Sequence, residues 1–290
     1  MNEQEQRRKK KRYEKIYRRN LRLYKHKKVK LPFLEVWAGK QCTLQCRDCL
    51  HMIPYIKQEK LSIQKLIRDC DILFELCEVD YFSIAGGEPF CCKDLYKLLD
   101  YIADSQAVKN GKIITNGTVM PDKRTRESLK NLKGKLEIRV DIYPGQEEKT
   151  KLFLEFLEKE QLRCHVQKYR ADKKSNWKHV SSPDQWEIPE KMTELIYKDC
   201  EVRRCTSLCD GELTSCPRGI ISSEIYHIEK NFCEHVRVSQ LKNDTASRAR
   251  IATCIDDSVY KDYCRYCLGL NAANPYFVVP GVQIRKKDTK

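Results

Sequence analysis

Apolar and polar positions repeat with two different periods between about residues 32 and 170. Short apolar runs that end at Gly, Pro or polar turn residues predict buried strands, and longer segments with apolar residues three and four apart predict amphipathic helices. The predicted strands occupy 33–39, 80–87, 112–117, 135–145 and 162–170. The predicted helices occupy 61–77, 93–105, 124–134 and 147–161. This alternation predicts an α/β fold built from parallel βαβ units.

Composition changes at both ends of this pattern. Residues 1–30 carry fourteen Lys and Arg but only three Glu, so most of the chain's net charge of +15 lies in this arm. After about residue 185 cysteines become frequent, which indicates a second module. The predicted organisation is therefore a basic arm over 1–30, an α/β domain over 31–185 and a Cys-rich module over 186–290.

The basic arm has two interpretations. Its apolar residues lie near helical spacing, which predicts a solvated amphipathic helix lying on the α/β domain. Its cations equally suit phosphate, nucleic acid or an anionic membrane. Beyond the arm there is no basic patch interleaved with aromatic residues, so we expect no stable nucleic-acid partner.

The sixteen cysteines need an explanation that fits the expected compartment. No apolar run approaches the roughly 18 residues of a membrane span, and no signal-peptide core follows the basic N-terminus. We therefore expect no membrane span and a cytoplasmic location, where thiols stay reduced. Metal binding is then the leading role for the cysteines.

Three cysteines follow the first predicted strand with the spacing Cys-x3-Cys-x2-Cys: Cys42, Cys46 and Cys49. Cubane iron–sulfur clusters usually take four thiolates. Three thiolates leave one iron without a protein ligand, and an open position distinguishes catalytic from structural metal sites. Such an iron can bind and activate a small molecule.

Together with a second motif, "AGGEPF" (85–90) after the second strand, this loop resembles the radical SAM superfamily. The resemblance implies a partial (β/α)6 TIM-like barrel, whose open iron chelates S-adenosylmethionine (SAM) and whose Glu88 accepts from the SAM ammonium group. It implies further SAM contacts after the third and fourth strands. The cofactor-binding residues implied are Gly86, Gly87, Glu88, Pro89, Asn116, Asp141 and Tyr143. One departure is Asp48, because the family commonly has an aromatic residue before the third cysteine, near the adenine.

The later cysteines resemble a SPASM pattern in its shortened, Twitch form, which carries one auxiliary [4Fe-4S] cluster. The ligands that this resemblance implies are Cys200, Cys216, Cys264 and Cys267, with Cys205 as an alternative to Cys200. A zinc ribbon built from the same four residues is the structural alternative. Among the other cysteines, Cys70, Cys77 and Cys164 are expected to be small core residues.

The resemblance implies that SAM is cleaved to methionine and a 5′-deoxyadenosyl radical, which takes hydrogen from an unactivated carbon. The layout is similar to that of Twitch dehydrogenases of aminocyclitols. We therefore expect oxidation of a secondary alcohol on a polyol, sugar or cyclitol, with the auxiliary cluster accepting an electron. A flavodoxin- or ferredoxin-type protein would supply electrons to the first cluster.

Three alternatives to this oxidation stay open. Epimerisation of a sugar-like substrate needs a thiol hydrogen donor, for which Cys209 is the first candidate and Cys92 the second. Peptide modification is common among SPASM proteins, although an arm of 30 residues is short for a leader-binding domain. A non-enzymatic binding module would use clusters or zinc only as structural supports.

The substrate region carries the weakest signal. Residues 165–179 hold cations, an indole and an imidazole that suit a phosphorylated or sugar-like ligand, but they equally suit an exposed loop, which we expect here. These side chains are Lys168, Arg170, Lys173, Lys174, Trp177 and His179.

Overall fold

The computed structural model of the chain describes residues 3–132 and 134–284. Its strands are β1 (Val29–Leu31), β2 (Leu34–Gly39), β3 (Cys77–Val79), β4 (Phe82–Gly86), β5 (Gly111–Thr115), β6 (Leu136–Ile142), β7 (Cys164–Lys168), β8 (Thr206–Cys209), β9 (Glu212–Thr214) and β10 (Val236–Arg237). Its α-helices are α1 (Glu3–Leu23), α2 (Ile63–Leu76), α3 (Leu95–Asp104), α4 (Lys123–Asn131), α5 (Glu147–Lys159), α6 (Glu190–Lys198), α7 (Arg218–Ile225) and α8 (Thr245–Cys254). All nine strands and helices predicted between 32 and 170 are confirmed.

The main sheet has eight strands in the order β10-β9-β8-β2-β4-β5-β6-β7. The five predicted strands pair in parallel, and β8 pairs in parallel with the free side of β2. Six parallel strands with helices between them confirm the α/β partial-barrel fold. The sixth strand lies beside the first, and β9 and β10 continue that side antiparallel. The sheet therefore runs on beyond residue 185.

Burial and capping explain why these segments fold as they do. Every residue of β2 and β4 is buried, as expected for strands covered on both faces. Side chains at helix starts accept from the first turn: Ser62 before α2, Asp122 before α4 and Asp244 before α8. The helices α2 to α5 bury Leu, Ile and Phe side chains against the sheet.

The basic arm forms α1, but its predicted position on the α/β domain is wrong. Its buried face packs against C-terminal residues, with Tyr13 donating to Glu234 over 2.8 Å and Asn20 donating to Thr253 over 3.1 Å. Lys9 is buried and pairs with Glu234 at 2.7 Å and with Asp262. The reason is that the buried face of α1 carries polar groups, and their partners lie in the Cys-rich region.

Two local differences concern strands. The two-stranded parallel sheet of β1 and β3 was not predicted, because three-residue strands carry too little periodicity. Cys164, expected in the core, is exposed on β7, the edge strand of the main sheet. Cys70 and Cys77 are buried as predicted.

Candidate active site

The loop that carries Cys42, Cys46 and Cys49 leaves the C-terminal end of β2 and turns back on itself. The amide of Cys49 donates to the carbonyl of Cys46 at 3.2 Å, so this segment is a tight turn. All three thiols are half-buried, and each of Cys42 and Cys46 lies close enough to Cys49 for their charges to interact. The fold thus brings the three predicted ligands together on one loop.

Burial dominates the acid–base behaviour of these thiols. It raises the pKa of Cys42 and of Cys46 to about 12, because a desolvated thiolate is unfavourable. Cluster assembly deprotonates its cysteine ligands, so binding here must release protons. Two amide side chains already point at the sulfurs: Asn116 Nδ2 lies 3.7 Å from Cys42 Sγ, and Gln283 Nε2 lies 3.3 Å from Cys46 Sγ.

The glycine pair after β4 packs directly against the start of the cluster loop. Gly87 N donates to Gly39 O at 2.9 Å, and Glu88 N donates to Gln41 O at 2.7 Å. A Cβ at Gly87 would lie 2.2 Å from the carbonyl oxygen of Gln41, and Gly86 has a φ of +116°. Only glycine allows this backbone approach without strain. The two motifs that carry the resemblance are therefore one packed unit.

The carboxylate of Glu88 is occupied by donors of the chain itself. It accepts from Asn116 N at 2.8 Å, from the hydroxyl of Thr115 at 2.7 Å and from Phe90 N at 3.1 Å. Burial raises its pKa to about 7, although these donors oppose the rise. Glu88 ties the glycine loop to the end of β5, a contact that the expected role as acceptor for the SAM ammonium group did not include. Pro89 follows in the same buried turn.

His51, two residues after the third cysteine, was not singled out from the sequence. Its Nδ1 lies 2.8 Å from the carbonyl oxygen of Gly86, and its Nε2 lies 3.2 Å from buried Glu35. Burial lowers the pKa of His51, but the Glu35 carboxylate overcomes this and leaves it raised. A protonated imidazole donates at both positions. His51 therefore links the glycine loop to β2.

Asp141 and Tyr143 lie at the end of β6, as predicted. Arg139 donates to Asp141 over 2.7 Å, and burial raises the pKa of Asp141 although Arg139 opposes the rise. Tyr143 stacks on Tyr169 with ring centroids 5.3 Å apart, and Trp177 meets both rings edge-on. The charges of Cys46 and Cys49 reach Tyr143. An aromatic wall thus stands beside the cluster loop.

The segment 165–179 is only partly the exposed loop that we expected. Its cations Lys168, Arg170, Lys173 and Lys174 are exposed. Trp177 Nε1, however, donates to the carbonyl of Asp48 at 3.2 Å, and His179 Nδ1 lies 2.6 Å from the Asp48 carboxylate. Asp48, the departure from the family pattern, is therefore the anchor for this segment on the cluster loop.

The four predicted auxiliary ligands come from three segments and line one cavity. Cys200 follows α6, Cys216 precedes α7, and Cys264 and Cys267 belong to the turn 262–267. Burial raises the pKa of Cys200, Cys216 and Cys264, and neighbouring cysteines add to the rise.

Cys205 does not line this cavity, although its charge reaches Cys216. Burial raises its pKa, and the nearby charges are those of Glu35 and Lys112, on β2 and β5. The structure therefore groups Cys200, not Cys205, with the other three thiols.

The spare thiols differ in access. Cys209 ends β8, is 1% exposed and packs with Trp37 and Ile221. Burial raises its pKa to about 12. Cys91 and Cys92 are half-buried, and burial raises the pKa of Cys91 to about 11, against the effect of the Thr43 backbone in the cluster loop.

Both donor sets consist of cysteine thiols. Within residues 3–132 and 134–284, no three His, Cys, Asp or Glu side chains form a ready-made site for a single metal ion. The auxiliary thiols line one cavity, and all-cysteine sets are the usual ligands of iron–sulfur clusters. The thiols of both groups therefore fit clusters by the chemistry of their donors.

We compared the chain with known protein families, sequences and structures. No family model matches the chain. GTP 3′,8-cyclases of Campylobacter jejuni subsp. doylei and of C. jejuni subsp. jejuni are each 30% identical to it over 129 residues, which cover 42% of this chain and 38% of theirs. The chain thus spans less than two-fifths of the curated relatives that it matches. The structure of BtrN in complex with AdoMet and 2-DOIA aligns with a TM-score of 0.52 and 16% identity, over 82% of this chain and 92% of BtrN.

The BtrN alignment extends over most of both chains and shows the fold. In a barrel of parallel strands the carboxyl ends of the strands meet at the mouth, where Cys42, Gly87 and Asn116 lie here. The comparisons therefore agree with the resemblance to radical SAM proteins that the cysteine and glycine motifs carry. Among the helices of the described residues, none combines the length and apolar character that crossing a bilayer requires.

Proposed function

We propose that the chain is a radical SAM dehydrogenase that oxidises a secondary alcohol of a sugar- or cyclitol-like substrate. Cys42, Cys46 and Cys49 hold the SAM-binding cluster, and Cys200, Cys216, Cys264 and Cys267 hold one auxiliary cluster. The observation that carries the proposal is the closeness of the two thiol groups. Leu50, which directly follows Cys49, lines the cavity of the auxiliary thiols.

When bound, the clusters and SAM supply a carbon-centred radical that abstracts hydrogen and an acceptor for the electron that the substrate then releases. The chain positions these groups. The packed Gly86–Gly87 turn leaves backbone next to the cluster loop, and Asn116 directs its amide at Cys42. Glu88 and His51 fix the glycine loop from two sides.

The substrate would enter beside the aromatic wall of Tyr143, Tyr169 and Trp177. Aromatic faces suit the apolar faces of a sugar or cyclitol ring, and the exposed lysines of 168–174 suit an anionic substituent. Asp141 already accepts from Arg139, so this pair would present a fixed dipole to a ligand's hydroxyl groups. BtrN, which shares this fold, was solved with AdoMet and 2-DOIA, and this supports a SAM site at the same barrel mouth.

The auxiliary thiols support a cluster over the zinc-ribbon alternative. The four cysteines line one cavity, which Leu50 of the cluster loop also lines. A redox-active cluster at this place can accept an electron, whereas zinc has no redox chemistry.

Epimerisation is the second candidate function, and the burial of Cys209 weighs against it. A hydrogen donor must reach the substrate radical, and Cys209 is 1% exposed in an apolar cluster against which Cys42 and Cys49 pack. Cys92, the second candidate, and its neighbour Cys91 are half-buried and therefore more accessible.

The test is incubation of reconstituted enzyme with SAM, a flavodoxin- or ferredoxin-type reductant and a panel of aminocyclitols and sugars in D2O. We expect one ketone for each SAM consumed, with no solvent deuterium at the reacting carbon. Deuterium incorporation with an unchanged oxidation state, abolished by Cys209→Ala, Cys92→Ala or Cys91→Ala, would establish epimerisation instead. Turnover of a peptide with none of any polyol would overturn both.

A further inference from the structure

Arg218, the first residue of α7, is a buried cation between the two thiol groups. Its side chain is 2% exposed. Nη1 donates to the carbonyl of Leu50 at 3.2 Å, and Nη2 donates to Ser181 Oγ and contacts Met52 Sδ at 3.1 Å. Its guanidinium is thus held against the residues that directly follow Cys49.

The same residue also borders the auxiliary group. Arg218 lines the cavity that the four auxiliary thiols also line, and it follows the ligand Cys216 by two residues. At the other end, its Nη1 bonds to the carbonyl of Leu50, the residue directly after Cys49. Arg218 therefore lies next to both thiol groups.

Within the described residues, this buried charge has no counter-ion. The groups that its Nη atoms contact include a carbonyl, a hydroxyl and a thioether, all neutral. Its Nε makes no hydrogen bond, and within residues 3–132 and 134–284 no ion pair joins Arg218 to a carboxylate. An isolated buried charge is strongly unfavourable, so such a residue requires an anionic partner that the polypeptide does not supply.

We propose that Arg218 is the shared counter-charge of the two iron–sulfur clusters and sets their reduction potentials. This inference rests on the proposed function, because it requires both clusters. Clusters bound by thiolates are anionic, and reduction makes each more negative. A buried cation therefore favours the reduced state and raises the potential. By raising the reduction potential of the auxiliary cluster, Arg218 would make that cluster a better electron acceptor. It would also keep the potential of the first cluster high enough for the electron donor to reduce it.

The experiment compares wild-type enzyme with Arg218→Gln, Arg218→Met and Arg218→Lys in EPR-monitored redox titrations. Gln keeps hydrogen-bonding capacity without charge, Met removes both, and Lys keeps the charge. We expect the neutral variants to shift the one-electron equilibrium of at least one cluster toward the oxidised state about tenfold, equivalent to about 59 mV. Arg218→Lys keeps the charge, so its reduction potentials should lie close to those of the wild type.

Arg203→Met is the matched control. Arg203 also lines the auxiliary cavity, but its side chain is 31% exposed and it pairs with Asp257 at 3.6 Å. Solvent and that carboxylate already compensate its charge, so its loss should shift the equilibrium less than twofold.

A second measurement covers variants that lose clusters. The iron-free Arg218→Met chain should melt at a temperature no lower than that of the iron-free wild type, because an uncompensated buried charge is gone. Reconstitution with clusters should raise its melting temperature less than it raises that of the wild type. Unchanged potentials in fully loaded Arg218→Gln and Arg218→Met would overturn the inference and leave the proposed function standing. Iron-free Arg218→Met that melts well below wild type would also overturn it. Wild-type enzyme that assembles no clusters would overturn both.

Discussion

The side-chain amide of Gln283 donates to the sulfur of Cys46 over 3.3 Å. Three further contacts hold the C-terminal segment there: Gln45 N donates to Gln283 Oε1 at 2.6 Å, Arg47 N donates to Val282 O at 2.8 Å and Ile284 N donates to Gln45 O at 2.8 Å. Residues 282–284 thus pair with the cluster loop like a short antiparallel strand. The C-terminal segment is part of the candidate cluster site.

Gln283→Leu should therefore weaken retention of the first cluster. One hydrogen bond to a ligand sulfur and one to the loop backbone are lost, at about 1 kcal/mol each. We expect iron to leave for an anaerobic chelator about fivefold faster or more, followed by loss of the cluster's visible absorbance.

Gln283→Glu is the sharper variant, because it keeps the acceptor for Gln45 N but replaces the donor to Cys46 with a negative charge. It should lose iron faster still. Val279→Ala, an exposed position of the same segment, serves as the control. Equal rates for all four proteins would show that the Gln283–Cys46 contact does not hold the cluster.

Iron content should separate the two proposed clusters. Reconstituted wild-type chain should hold about eight irons, two cubanes' worth. Replacement of Cys42, Cys46 and Cys49 by Ala should leave about four, as should replacement of Cys200, Cys216, Cys264 and Cys267. Iron and sulfide analysis of each anaerobic preparation measures this.

Cys205→Ala provides the control for the auxiliary ligands. Because Cys205 lies beside Glu35 and Lys112 and not on the cavity, this variant should keep about eight irons. Loss of four irons in Cys205→Ala but not in Cys200→Ala would reverse the ligand choice. A colourless protein that binds zinc would contradict both clusters.

The sequence predicted what depends on periodicity and on local spacing. Strands from β2 to β7 alternate with amphipathic helices, and the cluster and glycine motifs lie on successive loops, so their meeting at one barrel mouth follows from topology. The contacts that complete the site join loops far apart in the chain, as with Asp48 and His179 or Cys46 and Gln283. Such pairs carry no periodic signal.

The burial of individual polar residues could not be predicted from the sequence either. Arg218 and Lys9 are charged residues in segments of mixed polarity, where the ordinary expectation is an exposed side chain. Only the fold shows that α1 covers the Cys-rich region and that α7 begins between the two thiol groups.

Lys9→Met should destabilise the protein strongly. Lys9 is buried between Glu234 and Asp262, and its loss leaves two largely buried carboxylates without their cation. Removal of one partner from a buried pair costs about 3 kcal/mol or more. Urea denaturation of the reconstituted protein measures the free energy of unfolding.

Lys10→Met is the matched control, because the neighbouring Lys10 is exposed on the other face of α1. It should change the free energy of unfolding by less than about 0.5 kcal/mol. A similar small effect for Lys9→Met would mean that α1 does not depend on this buried pair.

Glu88 should give the iron-free protein a stability that falls as pH rises. Burial raises its pKa from 4.5 to about 7, against the donors Asn116, Thr115 and Phe90. Between these two values the unfolded chain has lost the proton that the folded chain keeps, so each step up in pH favours unfolding. A shift of this size corresponds to about 3 kcal/mol, fully present below pH 4.5 and lost as pH passes 7.

The measurement is urea unfolding of iron-free wild type and Glu88→Gln at pH 5 and pH 8. Other groups titrate equally in both proteins, so the difference between them isolates Glu88. From pH 5 to pH 8 the free energy of unfolding of the wild type should fall by up to about 3 kcal/mol more than that of Glu88→Gln. Glu127→Gln, at an exposed position of α4, should show the same pH dependence as the wild type. Parallel pH profiles for wild type and Glu88→Gln would mean that the carboxylate is already ionised at pH 5, with its three donors outweighing its burial.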